Sequence, residues 1–211
     1  MFISLIFSPL VLAQEKKAPQ GEITLLIDTF RFRLIVFDDQ EPYAQFPVAI
    51  GKARTPSPIG HWKIINKGVN WGSGFGTRWL GLNVPWGIYG IHGTNKPGSI
   101  GTMASQGCFR MFNHHVETLY PWIKIGTPVI VIGNPFSYQS GGMKNLKPGD
   151  KNSALTLIQE KLWRRGFYDG SADGIFGRGT KKGVQQLQKA HGLPITGNLG
   201  QIEYRCLGII N

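Results

Sequence analysis

The spacing of apolar residues changes character once along this chain, near residue 147, and that change limits the folds open to it. Before it, short apolar runs recur with Gly, Pro and Asn between them: Ile23–Ile27, Phe32–Phe37, Phe46–Ile50, His61–Ile65, Trp79–Leu82, Gly87–Ile91 and Val129–Ile132. Short runs bounded by turn formers predict the strands of a β-sandwich or barrel-like domain. Asp28–Arg31 reads as the turn between the first two runs. The 29 glycines and 13 prolines suit a turn-rich β protein better than a helical bundle. One helix is expected in this part, from about Asn113 to Trp122, with Asn113 as its cap.

Beyond residue 147 the apolar period becomes 3.6. Leu155, Ile158 and Leu162 share one face, with Asn152 or Ser153 as cap and Gly166 as stop. Val184, Leu187 and His191 follow between Thr180 and Gly192, and Leu199, Ile202 and Cys206 run up to Gly208. The expected architecture is therefore a mainly β domain over 23–133 and a small three-helix C-terminal bundle over 147–210. Residues 134–146 hold Gly-Gly, Ser and Pro without periodicity and read as a linker.

The N-terminus bears on compartment. Phe2–Ala13 is mostly apolar and turns abruptly polar at Gln14-Glu15-Lys16-Lys17. Twelve residues are too few to cross a bilayer, but they fit the apolar region of a signal peptide, with Val11-Leu12-Ala13 as a cleavage site. Residues 1–13 are the expected leader and 14–22 a short linker, which makes the protein extracytoplasmic. No basic stretch precedes the apolar run, so either the start lies upstream of Met1 or the signal is unusual. The net charge of +11 is spread, with 12 basic and 7 acidic residues up to 142 and 11 and 5 after it. Nucleic acid and the anionic polymers of a cell wall are both partners for such a surface.

The chemistry concentrates between residues 92 and 111. His92 ends an apolar run, a glycine-rich loop follows, and Ser105-Gln106-Gly107-Cys108-Phe109-Arg110-Met111 carries one of two cysteines. A lone cysteine is most often a small buried hydrophobe. A thiol near an imidazole and a positive charge is instead the equipment of nucleophilic catalysis, because both favour the thiolate. Cys108 is the candidate nucleophile and His92 its base. The backbone amides of Gly107 and Cys108 are the candidate oxyanion hole. No Asp or Glu lies at an obvious distance to orient His92, so a backbone carbonyl in the Gly93 region is expected to do so. Ser105 is a candidate donor to the loop backbone, and Arg110 either holds a substrate carboxylate or braces the loop. Trp71 and Trp79 are candidate groove residues. His61, His114 and His115 read as surface or framework residues; no ligand spacing supports a metal site, and no cofactor is called for. With Cys108 reactive and Cys206 on a helical face, two free thiols are expected rather than a disulfide.

The run HGTNKPGSIG…SQGCFRM resembles the signature of the L,D-transpeptidases with a YkuD-type catalytic domain, as do TPSPIGHWKI (Thr55–Ile64) and FGTRWLGL (Phe75–Leu82). The likeness covers Ile23–Gly133. It departs at Gln106, where the family often has His or Arg, and at His115, where it often has Asp. The resemblance implies that peptidoglycan stem peptides form a thioester on Cys108, that 3→3 cross-links result, and that carbapenem-type inhibitors acylate the thiol. Hydrolysis of the same acyl-enzyme, an L,D-carboxypeptidase activity, and an inactive wall-binding protein stand as alternatives. Leu157–Leu162, Gly166-Phe167-Tyr168, Asp173–Gly177, Thr180, Val184 and Gly192-Leu193 resemble the common peptidoglycan-binding domain of cell-wall enzymes. That likeness implies glycan strands as partners and a cell-wall location, and it turns the basic surface away from nucleic acid. Asp173–Gly177 itself reads as a tight turn with an aromatic plug. A monomer is expected.

Overall fold

The structure is a computed structural model and describes residues 18–136 and 143–211. The expected leader, 1–13, lies outside the described residues, as does the middle of the expected linker.

Ten strands and one helix build the first domain. β1 (Ile23–Asp28), β2 (Arg33–Asp38) and β3 (Glu41–Pro47) form an antiparallel meander. β3 begins earlier than the apolar run at Phe46 suggests. Asp39 and Gln40 both adopt positive φ, at 49° and 75°, so a two-residue hairpin of the kind matched to strand twist joins β2 to β3 without the glycine that would advertise it. β4 (Ile50–Gly51) pairs with β8 (Met103–Ser105) in a small separate ladder.

The main sheet has eight strands in the order β3-β2-β1-β10-β5-β6-β7-β9, where β5 is Gly60–Val69, β6 Arg78–Leu82, β7 Tyr89–His92, β9 Phe109–Arg110 and β10 Pro128–Ile132. β1 runs parallel to β10 and β7 parallel to β9; the other pairs are antiparallel. β5 bridges the two halves. Its first residues pair with β10, and the rest pair with β6 after a register shift at Ile64–Asn66. Such an irregularity bends a strand and strengthens its twist. The mainly β expectation takes the form of one curled mixed sheet.

Alternating residues put Leu25, Ile27, Leu34, Val36, Ile64, Leu80, Ile91 and Phe109 into one core, closed by Val116, Leu119 and Trp122. The last three come from α1 (Asn113–Leu119) and the 3₁₀ turn Tyr120–Trp122 that extends it. The helix lies where the sequence places it, but Asn113 does not cap it: no side-chain cap bond forms, and its Oδ1 accepts the Thr94 N–H instead.

The second domain packs α2 (Ser153–Arg164), α3 (Arg178–Ala190) and α4 (Gln201–Cys206) around Leu155, Ile158, Leu162, Phe176, Val184, Leu187, Leu199, Tyr204 and Leu207. Asn152 caps α2, its Oδ1 accepting the Leu155 N–H at 3.1 Å, and Gly166 (φ 74°) follows the helix end. His191 sits one residue past α3 rather than on its face. The described ends of segment 134–146 are not a bare linker. Phe136 packs against Tyr204, Leu146 is buried and pairs with Leu199, and the Tyr204 hydroxyl donates to the Lys144 carbonyl.

This domain is built twice over. Gln159 of α2 donates from Nε2 to Asp173 Oδ1, the Ile175 carbonyl and Thr180 Oγ1, while its Oε1 accepts the Gly174 N–H. Gln188 of α3 repeats the pattern with Thr196 Oγ1, the Asn198 carbonyl, Glu203 Oε1 and the Gly197 N–H. Phe176 in the first copy and Leu199 in the second plug the turn. Each glutamine ties a helix to the turn that starts the next one.

The two domains touch. The Ile59 N–H donates to Ser153 Oγ and Thr156 Oγ1 donates to the Ile59 carbonyl, holding α2 against the start of β5. The Trp86 ring lies so close to Gly174 that a Cβ there would fall 2.3 Å from it. Trp86 in turn meets Trp62 edge-on.

Candidate active site

His92 ends β7, and the Cys108 thiol lies against the same strand. Ile91 pairs with Phe109 and His92 with Arg110 across the parallel β7–β9 ladder. Paired residues of a parallel ladder point the same way, and successive residues alternate. Ile91 and Phe109 are fully buried in the core, so His92 and Arg110 face the other side, and Cys108 lies in the bend that leads into β9. The thiol lies along the start of β7: the Gly90 N–H donates to Sγ, and S–H approaches the Ile88 carbonyl at 3.9 Å. Gly90 leaves room here, since a Cβ would sit 2.6 Å from the Trp79 ring.

His92 is 3 % exposed and sits among aromatic rings. It stacks on Trp79 (5.8 Å, 28°) and meets Phe75 edge-on (5.0 Å), while Trp71 stacks on the far side of Trp79 at 4.6 Å. Trp71 is 49 % exposed and Trp79 only 1 %, so Trp71 lies at the surface and Trp79 is packing beneath it. The histidine bonds as expected: Nδ1 engages the Gly93 carbonyl. A carbonyl only accepts, so Nδ1 carries the proton and Nε2 is left as the basic nitrogen.

Burial pulls the His92 pKa down to about 4; the Gly93 and Phe75 carbonyls oppose this and the Arg110 charge adds to it. The imidazole is neutral at pH 7. Burial also pushes the Cys108 thiol up, against the Gly90 N–H and Arg110, which pull it down. The expectation of an eased thiolate is therefore corrected: desolvation outweighs both favourable partners, and the resting pair is thiol and neutral imidazole.

The cysteine loop is braced by Ser105. Its hydroxyl donates to the Cys108 carbonyl at 2.6 Å and accepts the Gly107 N–H at 3.0 Å, while its own carbonyl accepts from the Lys52 N–H and Thr55 Oγ1. Of the two amides expected to receive an oxyanion, that of Gly107 is engaged by Ser105 Oγ. Gly107 is irreplaceable for two reasons: φ is 116°, and a Cβ would lie 2.6 Å from the Tyr89 ring. Gln106 is exposed. Arg110 is half-buried, and its charge acts on both Cys108 and His92; the one ion pair among the described residues joins Arg31 and Asp28.

His61 is exposed on β5. His114 and His115 lie beside each other and Phe112, away from this face. Among the described residues no three His, Cys, Asp or Glu side chains gather as metal ligands. Both cysteines are free. Sequence reasoning did not single out Phe75 and Tyr89. Phe75 opens the FGTRWLGL segment, which is the signal that could have found it; Tyr89 reads as an ordinary strand aromatic.

A buried imidazole is held by a backbone carbonyl, and a cysteine on a braced loop lies against the same strand. The chain belongs to the YkuD family of L,D-transpeptidase catalytic domains, whose model matches residues 22–131. Residues 151–206 match a second family, described as "Putative peptidoglycan binding domain". The chain is 45 % identical over 86 residues to "Putative L,D-transpeptidase YkuD" of Bacillus subtilis (strain 168), covering 41 % of this chain and 51 % of that protein. It is 30 % identical over 152 residues to "Putative L,D-transpeptidase YqjB" of the same organism, covering 65 % and 86 %. The match thus spans about half the length of the first of these relatives. A solved L,D-transpeptidase from Mycobacterium smegmatis aligns with 22 % identity and a TM-score of 0.46 over 54 % of this chain and 59 % of that one.

Proposed function

We propose that the protein is a thiol-dependent L,D-transpeptidase of the cell wall that forms 3→3 peptidoglycan cross-links. The observation that carries this reading is the neutral His92, its Nδ1–H held by Gly93, with the Cys108 thiol against Gly90 of the same strand. Nε2 removes the thiol proton as Sγ attacks the carbonyl of the third residue of a tetrapeptide stem. The tetrahedral oxyanion forms against the Cys108 amide, a type of contact that contributes roughly 3–4 kcal/mol per donor. His92 returns the proton to the departing D-alanine amine as the C–N bond breaks, leaving a thioester on Cys108. A side-chain amine of a neighbouring stem then attacks the thioester, restores the thiol and closes the cross-link.

Because the thiol rests protonated, base and nucleophile act in one step instead of from a preformed ion pair. Arg110 supplies positive charge beside the thiol and suits a stem carboxylate. The helical domain, docked beside the catalytic sheet through Ile59 and Trp86, binds glycan strands and keeps the enzyme on its polymer in an extracytoplasmic, wall-associated location, where cross-linking bears on wall organisation and cell shape.

The test is mass spectrometry of the protein incubated with a tetrapeptide stem dimer or with a carbapenem. An adduct on Cys108, absent in Cys108→Ala, and a 3→3 dimer product are expected. Release of D-alanine with no dimer would make the protein a carboxypeptidase, and no adduct with either probe would leave only wall binding.

A further inference from the structure

We propose that Asn113 is a positioning residue for His92, acting through the peptide unit that joins Gly93 to Thr94. The inference rests on the reading of His92 as the base.

The Gly93 carbonyl and the Thr94 N–H belong to one planar trans peptide, so they point in opposite directions and turn together. On one edge the Gly93 oxygen accepts from His92 Nδ1. On the other the Thr94 N–H donates to Asn113 Oδ1 at 3.0 Å. Holding the N–H therefore aims the carbonyl, and the carbonyl aims the ring. Hydrogen bonds in series also polarise one another, which makes the Gly93 oxygen a better acceptor.

The carboxamide sits in a built slot. A Cβ on Gly76 or on Gly93 would each fall 2.2 Å from Asn113 Oδ1, so two glycines from separate segments admit this one atom. Gly76 also has φ 61°, a conformation that suits glycine. Neighbouring bonds close the bracket: the Met111 N–H donates to the His92 carbonyl at 2.8 Å, the Gly93 N–H donates to the Arg78 carbonyl, and Thr94 Oγ1 accepts the Lys96 N–H. One short stretch, Cys108–Asn113, thus carries the nucleophile and two of the groups that orient its base.

Helix capping does not explain Asn113. It is the first residue of α1, and its oxygen serves the Gly93–Thr94 turn instead of the helix. A carboxylate in this place would both orient and charge the ring; a carboxamide orients without charge. Arg110 is the charged group that acts on His92, and the 73–75 turn and β6 contribute the Phe75 ring and carbonyl, the Trp79 ring and the Arg78 carbonyl that accepts the Gly93 N–H.

The experiment uses the full chain with Asn113→Leu and Asn113→Asp. Imidazole tautomer and titration are read by ¹⁵N NMR, and the rate of Cys108 acylation by a carbapenem is followed against pH. Asn113→Leu removes the acceptor: a mixture of tautomers is expected, with acylation slowed about 10- to 100-fold, the range for misplaced reacting groups and lost supporting partners. Asn113→Asp keeps the acceptor and adds a negative charge: the Nδ1–H form persists and the imidazole titrates at a higher pH than in the wild type. A wild-type tautomer and rate in Asn113→Leu would overturn the proposal. If that variant does not fold, an unshifted His92 titration in Asn113→Asp overturns it instead. A wild-type protein that no carbapenem acylates refutes the transpeptidase reading, while the NMR arm still reports on Asn113.

Discussion

Each domain of this protein buries uncharged polar side chains at its centre, and the two use them differently. Gln159 and Gln188 are completely enclosed, and each places Nε2 and Oε1 on four partners from the turn that follows its helix. His92 is enclosed almost as fully, yet only its Nδ1 is held by a hydrogen bond of defined geometry. A buried polar group saturated by its own fold acts as a structural hub. One whose fold fixes the orientation while leaving a basic nitrogen for an incoming partner is equipped for chemistry. The same low-polarity surroundings serve both purposes, by strengthening the glutamine bonds and by keeping the imidazole neutral.

Removing the nucleophile should have the largest effect. Cys108→Ala is expected to lower acyl transfer by about 10⁴-fold or more, with the melting temperature nearly unchanged; intact-mass kinetics and calorimetry check both. His92→Gln comes next, at roughly 10²–10⁴-fold in acylation rate, the usual contribution of a general base.

The glutamine hubs should respond in the opposite sense. Gln159→Leu leaves the Gly174 N–H without its acceptor, and a buried unsatisfied group costs about 1–3 kcal/mol. Denaturant unfolding should show a loss of about 1–3 kcal/mol in the helical domain, with carbapenem acylation of Cys108 close to wild type. A loss of acylation equal to that of His92→Gln would erase the contrast between hub and base.

The pH dependence of stability sharpens the comparison. His92 titrates at about 4 in the folded chain, against about 6.5 unfolded. Between those values the unfolded state binds more protons, so stability falls as pH drops from 6.5 toward 4. The histidine accounts for on the order of 3 kcal/mol across that window. His92→Gln should flatten the profile there, while Gln159→Leu should lower it evenly. The smallest effect belongs to Gln106→His: an exposed substitution shifts stability by no more than about 0.5 kcal/mol.

Much of the architecture could be read before folding. Alternating apolar runs marked seven of the ten strands, and Asn152 announced the start of α2. β9 escaped because two residues carry no periodicity, and the early start of β3 escaped because its turn is made by Asp39 and Gln40. The two glutamines were hidden for a related reason. Beside Glu160 and Lys161, Gln159 looks like any polar helix residue, and nothing local reveals that its partners lie 14 to 21 positions onward. Asn113 was noticed for the wrong bond, as a cap, since its true partner is 19 residues back on another element.

The sequence by itself determined the division into a mainly β part and a helical one, singled out Cys108 and His92 as candidates, and pointed to a carbonyl near Gly93, because these depend on local periodicity, residue chemistry and spacing. Only the tertiary structure decided that the thiol and imidazole both rest neutral, that Ser105 takes the Gly107 amide, and that Trp79 lies under the site instead of lining it. Those outcomes depend on desolvation and on contacts between distant segments, and burial is a property that no residue has until the chain closes around it.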